Sequence, residues 1–236
     1  AFFSPTMLDR LKVKAITLDL DDTLWPIWPT IARAEAALQD WLRHRAPATA
    51  VLLADDLQRH RLRESIMAEQ PDFKHRLSAL RTAMIRRALQ TAGEDTQLAE
   101  PAYSIFFEAR QRVDLFEDAA PALEFLAQRY PVVALSNGNA DVGRIGLAPF
   151  FRAAISAEVF GVGKPERAIF EAGAAAAGVA LDEVLHIGDD ASLDVLGALA
   201  CGMQTVWVNR EDHLWPHPEQ PHETVSNLHE LTELLR

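Results

Sequence analysis

Val13, Ala15, Ile16, Leu18 and Leu20 make a nearly unbroken apolar run. A run of this length, rich in β-branched residues, predicts a buried strand. Three carboxylates, Asp19, Asp21 and Asp22, follow within four residues. Trp25, Pro26, Ile27, Trp28 and Pro29 come next, and two prolines in four residues end any regular strand.

From residue 31 to about 112 the rhythm is helical. Ile31, Ala34, Leu38, Trp41 and Leu42 recur at spacings of three and four, and Leu77, Leu80, Met84, Ile85 and Ala88 do the same. Pro47, Pro71 and Gly93 punctuate the stretch, with Gly93 placed as a C-terminal cap. The pattern predicts four helices, the second over residues 49–68, forming a compact bundle.

At Leu115 the pattern turns to alternating strands and helices. Glu117 and Asp118 precede Pro121 and suit the positive end of a helix. Strands are predicted at 132–135, more weakly at 153–155, then at 184–187 and at 205–208, the last clear one. Gly163, Lys164 and Pro165 open a helix running to Gly178, and another runs from Ser192 to Ala200. Alternation of this kind implies an α/β, Rossmann-like, doubly wound parallel sheet. Residues 1–24 and 115–236 are assigned to that core. Residues 25–114 are an α-helical bundle inserted after the first strand.

Four polar stations fall at predicted strand ends or helix starts: Asp19 with Asp21, Ser136 with Asn137, Lys164, and Asp189 with Asp190. The carboxyl ends of strands in a doubly wound sheet share one crevice, so these stations converge. Crowded carboxylates need a cation, and hard oxygen ligands favour Mg²⁺. The set suits phosphoryl transfer. Asp19 attacks phosphorus, Asp21 protonates the leaving oxygen, and Ser136 and the Asn137 amide hold the phosphate oxygens. Lys164 neutralises charge, and Asp189 completes the metal site.

Asp19-Leu20-Asp21-Asp22-Thr23, Ser136-Asn137, Gly163-Lys164-Pro165 and Gly188-Asp189-Asp190 resemble, in order, the four signatures of the haloacid dehalogenase-like hydrolase superfamily. The resemblance implies that Asp19 is nucleophile and metal ligand, and that Asp21 is the acid/base with its backbone carbonyl on the metal. It implies that Ser136 and Lys164 hold phosphate, that Asp189 binds Mg²⁺, and that Asp190 or Asp194 supports the metal site from behind. The helical insertion resembles the family's first type of cap. Trp25, Trp28-Pro29, Ala68-Glu69-Gln70-Pro71 and the stretch from His186 through Ala198 resemble a bacterial subgroup. That subgroup dephosphorylates FMN and a ribityl-amino-uracil phosphate of riboflavin synthesis. A 2-haloacid dehalogenase, a phosphomutase and a non-catalytic phosphometabolite-binding protein are the alternatives.

Other polar and aromatic residues have structural readings. Asp22 is a turn or cap residue, and Thr23 hydrogen-bonds backbone near the site. Trp25 and Trp28 either pack or stack on a flat ring. His75, in the run Phe73-Lys74-His75-Arg76, lies in a loop that is either solvated or selects substrate. His186 is a hydrogen-bonded core histidine, and Cys201 is core filler. His213, His217 and His222 belong to a surface loop rather than a metal site.

A net charge of −11 argues against nucleic acid or an anionic membrane as partner, leaving a small phosphorylated metabolite. Residues 31–90 run against the total, with 11 Lys/Arg to 7 Asp/Glu. A single cysteine excludes an internal disulfide, no apolar run approaches a membrane span, and residues 1–6 lack the features of a secretory signal. A cytoplasmic location is the resulting expectation.

Overall fold

A computed structural model describes residues 7–236; the opening segment judged against a secretory signal lies outside the described residues. The chain divides into two compact units, one of residues 1–26 and 114–236 and the other Ile27–Val113.

The first unit opens with β1 (Ala15–Leu18), buried along its whole length. The second unit holds α1 (Ile27–Arg45), α2 (Pro47–Ala54), α3 (Asp56–Glu69), α4 (Leu77–Ala92) and α5 (Ala99–Arg110). Its core joins Ala34, Leu38 and Leu42 of α1 and Ile85 and Ala88 of α4, which the helical spacing selects, to Leu89 of α4 and Phe106 of α5. The predicted second helix is in fact two. Asp55 ends α2 and caps α3 by accepting the Gln58 N–H at 3.0 Å. An aspartate can stop one helix and start the next without Pro or Gly. Gly93 caps α4 in the left-handed conformation.

The first unit resumes with α6 (Ala119–Ala127), β2 (Val132–Ser136), the short α7 (Val142–Ile145), β3 (Ala153–Ser156) and the short α8 (Ala157–Phe160). It continues through α9 (Arg167–Ala177), β4 (Val184–Gly188), α10 (Gly197–Ala200), β5 (Gln204–Val208), β6 (Glu223–Val225) and α11 (Leu228–Leu234). The six strands are parallel and lie in the order β3-β2-β1-β4-β5-β6. The chain first builds outward on one side of β1, then returns to build on the other. The reversal falls between β1 and β4, where Leu18 pairs with Ile187, and such a switch point leaves a crevice at the strand ends. Alanine-rich α9 lays Ile169, Phe170, Ala174 and Ala177 on the sheet, and Cys201 joins the same core.

Two local expectations are corrected. The helix expected to open at Pro165 begins at Arg167, because Glu166 is still extended. Residues Ala191–Leu196 form a π-helical turn ahead of α10. Asp118 opens α6 as expected, its carbonyl accepting the Ala122 N–H at 3.1 Å, while its buried carboxylate caps nothing there and takes both terminal nitrogens of Arg210 at 2.8 and 2.9 Å and the Leu228 N–H at 2.9 Å.

Candidate active site

Asp19 is the first residue past β1, and the chain then turns tightly. Thr23 and Leu24 N–H groups donate back to the Leu20 carbonyl, and Asp22 sits in the left-handed region at φ 62°, its N–H donating to Trp25. Aspartate tolerates that conformation better than most residues, so Asp22 is a turn residue as expected. The turn aims Asp19 and Asp21 into a hollow of about 170 Å³, also lined by Ser136, Lys164, Asp189 and Asp194.

Lys164 crosses this hollow. Its Nζ donates to Asp19 Oδ1 and Asp194 Oδ1, each at 2.7 Å, with all three side chains buried. Burial pulls the Lys164 pKa down, but the two carboxylates outweigh it and raise it overall. Its main chain is locked by Asn137, whose Nδ2 donates to the Lys164 carbonyl at 2.8 Å and whose Oδ1 accepts the Lys164 N–H at 2.7 Å. A Cβ at Gly163 would run into that same Oδ1, so only glycine fits before the lysine. The Asn137 side chain is therefore committed to the lysine loop, which leaves the main-chain amide as the group for a phosphate contact. Ser136 is buried at the tip of β2, and its Oγ accepts the Gly138 N–H at 3.0 Å.

Asp189 follows β4. Thr23 Oγ1 lies 3.1 Å from Asp189 Oδ1 and 3.3 Å from Asp19 Oδ2, so one hydroxyl bridges two carboxylates rather than the backbone expected of it. Burial, reinforced by the charges of Asp19 and Asp194, pushes Asp189 up to about 9; burial pushes Asp19 up to about 6 despite Lys164.

Asp190 and Asp194 differ in burial. Asp190 is exposed and caps the turn after it, accepting the Ser192 and Leu193 N–H groups at 2.9 and 2.7 Å. Asp194 is 1% exposed and meets Lys164, His186 and the Asp190 N–H. Burial opposes its ionisation, but Lys164 and His186 hold it at about 2. Any Cβ at position 188 would collide with Asp194, which makes Gly188 necessary there. His186 is the expected core histidine. Nε2 faces Asp194 at 2.8 Å and Nδ1 faces the Thr17 hydroxyl at 2.7 Å, which assigns the proton to Nε2. Burial lowers its pKa.

Asp19, Asp189 and Asp194 place carboxylate oxygens within 4.8 Å of one another. A buried carboxylate, Asp19, beside a half-buried one, Asp189, both with raised pKa values, fits a divalent cation, whose charge would reverse the repulsion. Asp194 gives Oδ1 to Lys164 and His186 and Oδ2 to the Asp190 N–H, while Asp19 and Asp189 are the pair the family resemblance implies as ligands.

Trp25 was open to two readings, and packing is the one observed. It is fully buried, with no face for a ligand to stack on, and its Nε1–H donates to Asp21 Oδ1 at 2.8 Å. Trp28, by contrast, is 78% exposed on the first turn of α1, and His75 is half-buried after α3. Sequence reasoning did not anticipate the Thr23 bridge, the bracing of Asp21 by Trp25, or Trp207, whose Nε1–H donates to the Asp189 carbonyl at 2.7 Å. His213, His217 and His222 join no metal-ligating group among the described residues.

The chain belongs to the haloacid dehalogenase-like hydrolases: the model of that family matches residues 13–202. The 5-amino-6-(5-phospho-D-ribitylamino)uracil phosphatase YigB of Escherichia coli (strain K12) is 33% identical, over 95% of this chain and 97% of that protein. A phosphoserine phosphatase of Thermus thermophilus is 28% identical, over 85% of this chain and 74% of its own length. A solved structure described as a 2-haloacid dehalogenase from Pseudomonas syringae pv. Tomato DC3000 superposes with a TM-score of 0.90 at 39% identity, covering 94% of this chain and 98% of that one. No helix among the described residues is long and apolar enough to cross a membrane.

Proposed function

We propose that this chain is a Mg²⁺-dependent phosphomonoesterase that cleaves a small phosphorylated metabolite through an aspartyl-phosphate. The observation that carries the reading is the buried Asp19–Lys164 contact of 2.7 Å at the tip of β1, sharing one hollow with Ser136 and Asp189.

Asp19 attacks phosphorus, a P–O bond to Asp19 forms, and the ester P–O bond breaks. Asp21 gives its proton to the departing oxygen. It then takes a proton from water, whose oxygen displaces Asp19 and releases inorganic phosphate. Lys164 offsets charge on Asp19 and on the transferring group, and Ser136 donates to a phosphate oxygen. Asp19, Asp189 and the Asp21 carbonyl, the set the family resemblance implies, would hold Mg²⁺, which would supply positive charge between carboxylate and phosphate. Trp25 holds Asp21 while this happens.

For the substrate we propose a ribityl phosphate of the riboflavin pathway or FMN. Similarity to the E. coli ribitylaminouracil phosphatase along nearly the whole chain supports it. The helical unit, with exposed Trp28 and with His75, is proposed to make the selection, since it is inserted directly after the β1 turn. Mg²⁺-dependent phosphate release from p-nitrophenyl phosphate, lost in Asp19→Asn, tests the chemistry. A panel of FMN, ribityl phosphates, sugar phosphates and nucleotides tests the substrate.

Similarity to the P. syringae structure favours a second reading, 2-haloacid dehalogenation. There the aspartate attacks carbon, and neither a second acid nor a cation is required. Asp21 and Asp189 in the hollow support the phosphatase instead. Halide release from a 2-haloacid decides between them.

A further inference from the structure

The loop between β5 and β6, residues 209–222, carries Trp215, three histidines and three prolines that the phosphate chemistry does not use. Two of its rings reach back to the site. Trp207 of β5 is 5% exposed and packs edge-to-face on Trp215, with centroids 5.0 Å apart at 68°. Trp215 packs the same way on His217, at 5.5 Å and 76°, and fixes its own loop by donating Nε1–H to the Glu219 carbonyl at 2.7 Å. His217 Nε2 lies 2.9 Å from Ser192 Oγ, three residues past Asp189.

We infer that Trp207, locked by Trp215 and His217, is a positioning residue for Asp189. The inference rests on Asp189 being a Mg²⁺ ligand, as proposed above. Asp189 is the first residue past β4, beyond the last paired position, Gly188. Its side chain meets the Thr23 hydroxyl, and its carbonyl accepts the Trp207 Nε1–H at 2.7 Å. Trp207 faces Gly188 across the β4–β5 ladder, so its indole is held beside the turn by the sheet itself. The segment is thus pinned at the Asp189 carbonyl and at the Ser192 hydroxyl, and rings packed edge-to-face join the two pins. Mg²⁺ tolerates little departure from octahedral geometry, so a loosened carboxylate binds it less well. Partners behind metal ligands typically alter affinity by about 10–100-fold.

The test is calorimetric titration of Mg²⁺ alone into the metal-free full chain, its Trp207→Phe variant and its His217→Ala variant, with metal-free melting curves alongside. Phe keeps the ring and removes only the N–H. Trp207→Phe should weaken Mg²⁺ binding about ten-fold, the lower end for such partners, and His217→Ala should weaken it by a smaller factor. A lowered melting temperature with unchanged Mg²⁺ affinity would show packing alone and overturn the inference. If Trp207→Phe does not fold, His217→Ala decides in the same way. A wild-type chain that binds no Mg²⁺ would overturn the metal reading and the inference together. Normal wild-type binding matched by both variants would overturn the inference alone.

Discussion

Lys164 Nζ and Asp19 Oδ1 lie 2.7 Å apart although 145 positions separate them in the chain. β1 delivers the carboxylate to the switch point of the sheet, and the loop before α9, held by Asn137, delivers the ammonium. Both are buried, so neither charge would be tolerated without the other.

Replacing Lys164 with Met should therefore cost stability as well as activity. Asp19 and Asp194 would remain as buried carboxylates without a cation. Breaking such a pair typically costs about 3–5 kcal/mol. Urea denaturation of the metal-free protein at neutral pH measures the loss, and added acid should shrink it as the carboxylates protonate.

The acid cluster fixes the sign of a pH effect. Asp189 at about 9 and Asp19 at about 6 both lie above the ordinary carboxylate value. The folded metal-free chain thus holds protons that the unfolded chain releases, and its stability should fall as pH rises from about 4 to about 6 for Asp19 and to about 9 for Asp189. Mg²⁺ requires the deprotonated groups, so its stabilising increment should grow over the same window. Melting temperatures from pH 5 to 9, in Mg²⁺ and in chelator, should diverge with rising pH. Parallel curves would contradict the crowded-carboxylate account.

Trp25→Phe removes the N–H that holds Asp21 and keeps most of the buried ring. The expected result is a drop in kcat of about ten-fold with Mg²⁺ affinity unchanged, because a displaced acid/base slows proton transfer. Steady-state rates against Mg²⁺ concentration separate the two quantities. A shift in metal affinity instead would place Asp21 mainly at the cation.

The stations were legible because acids at the end of an apolar strand leave few physical explanations. Asp190 and Asp194 could not be separated that way: both are short acids on the turn after β4, and only their environments, exposed for Asp190 and buried for Asp194, distinguish them. Trp25 was ambiguous because a buried tryptophan and a ligand-stacking one read alike beside prolines. Thr23 and Trp207 act across the sheet, through partners 166 and 18 positions away, and leave no local signal. β6 escaped notice because it is a three-residue edge strand, Glu223–Val225, buried only at its end. The α2–α3 division escaped because Asp55 lies in a stretch with neither Pro nor Gly.

The central claim is that the Asp19 carboxylate becomes covalently phosphorylated in each turnover. Rapid acid quenching during hydrolysis of p-nitrophenyl phosphate in Mg²⁺, followed by peptide mass mapping, reads this directly. Phosphate is expected on the peptide carrying Asp19 and is expected to be absent in chelator. Steady turnover with no label there, or with the label on another residue, would contradict it.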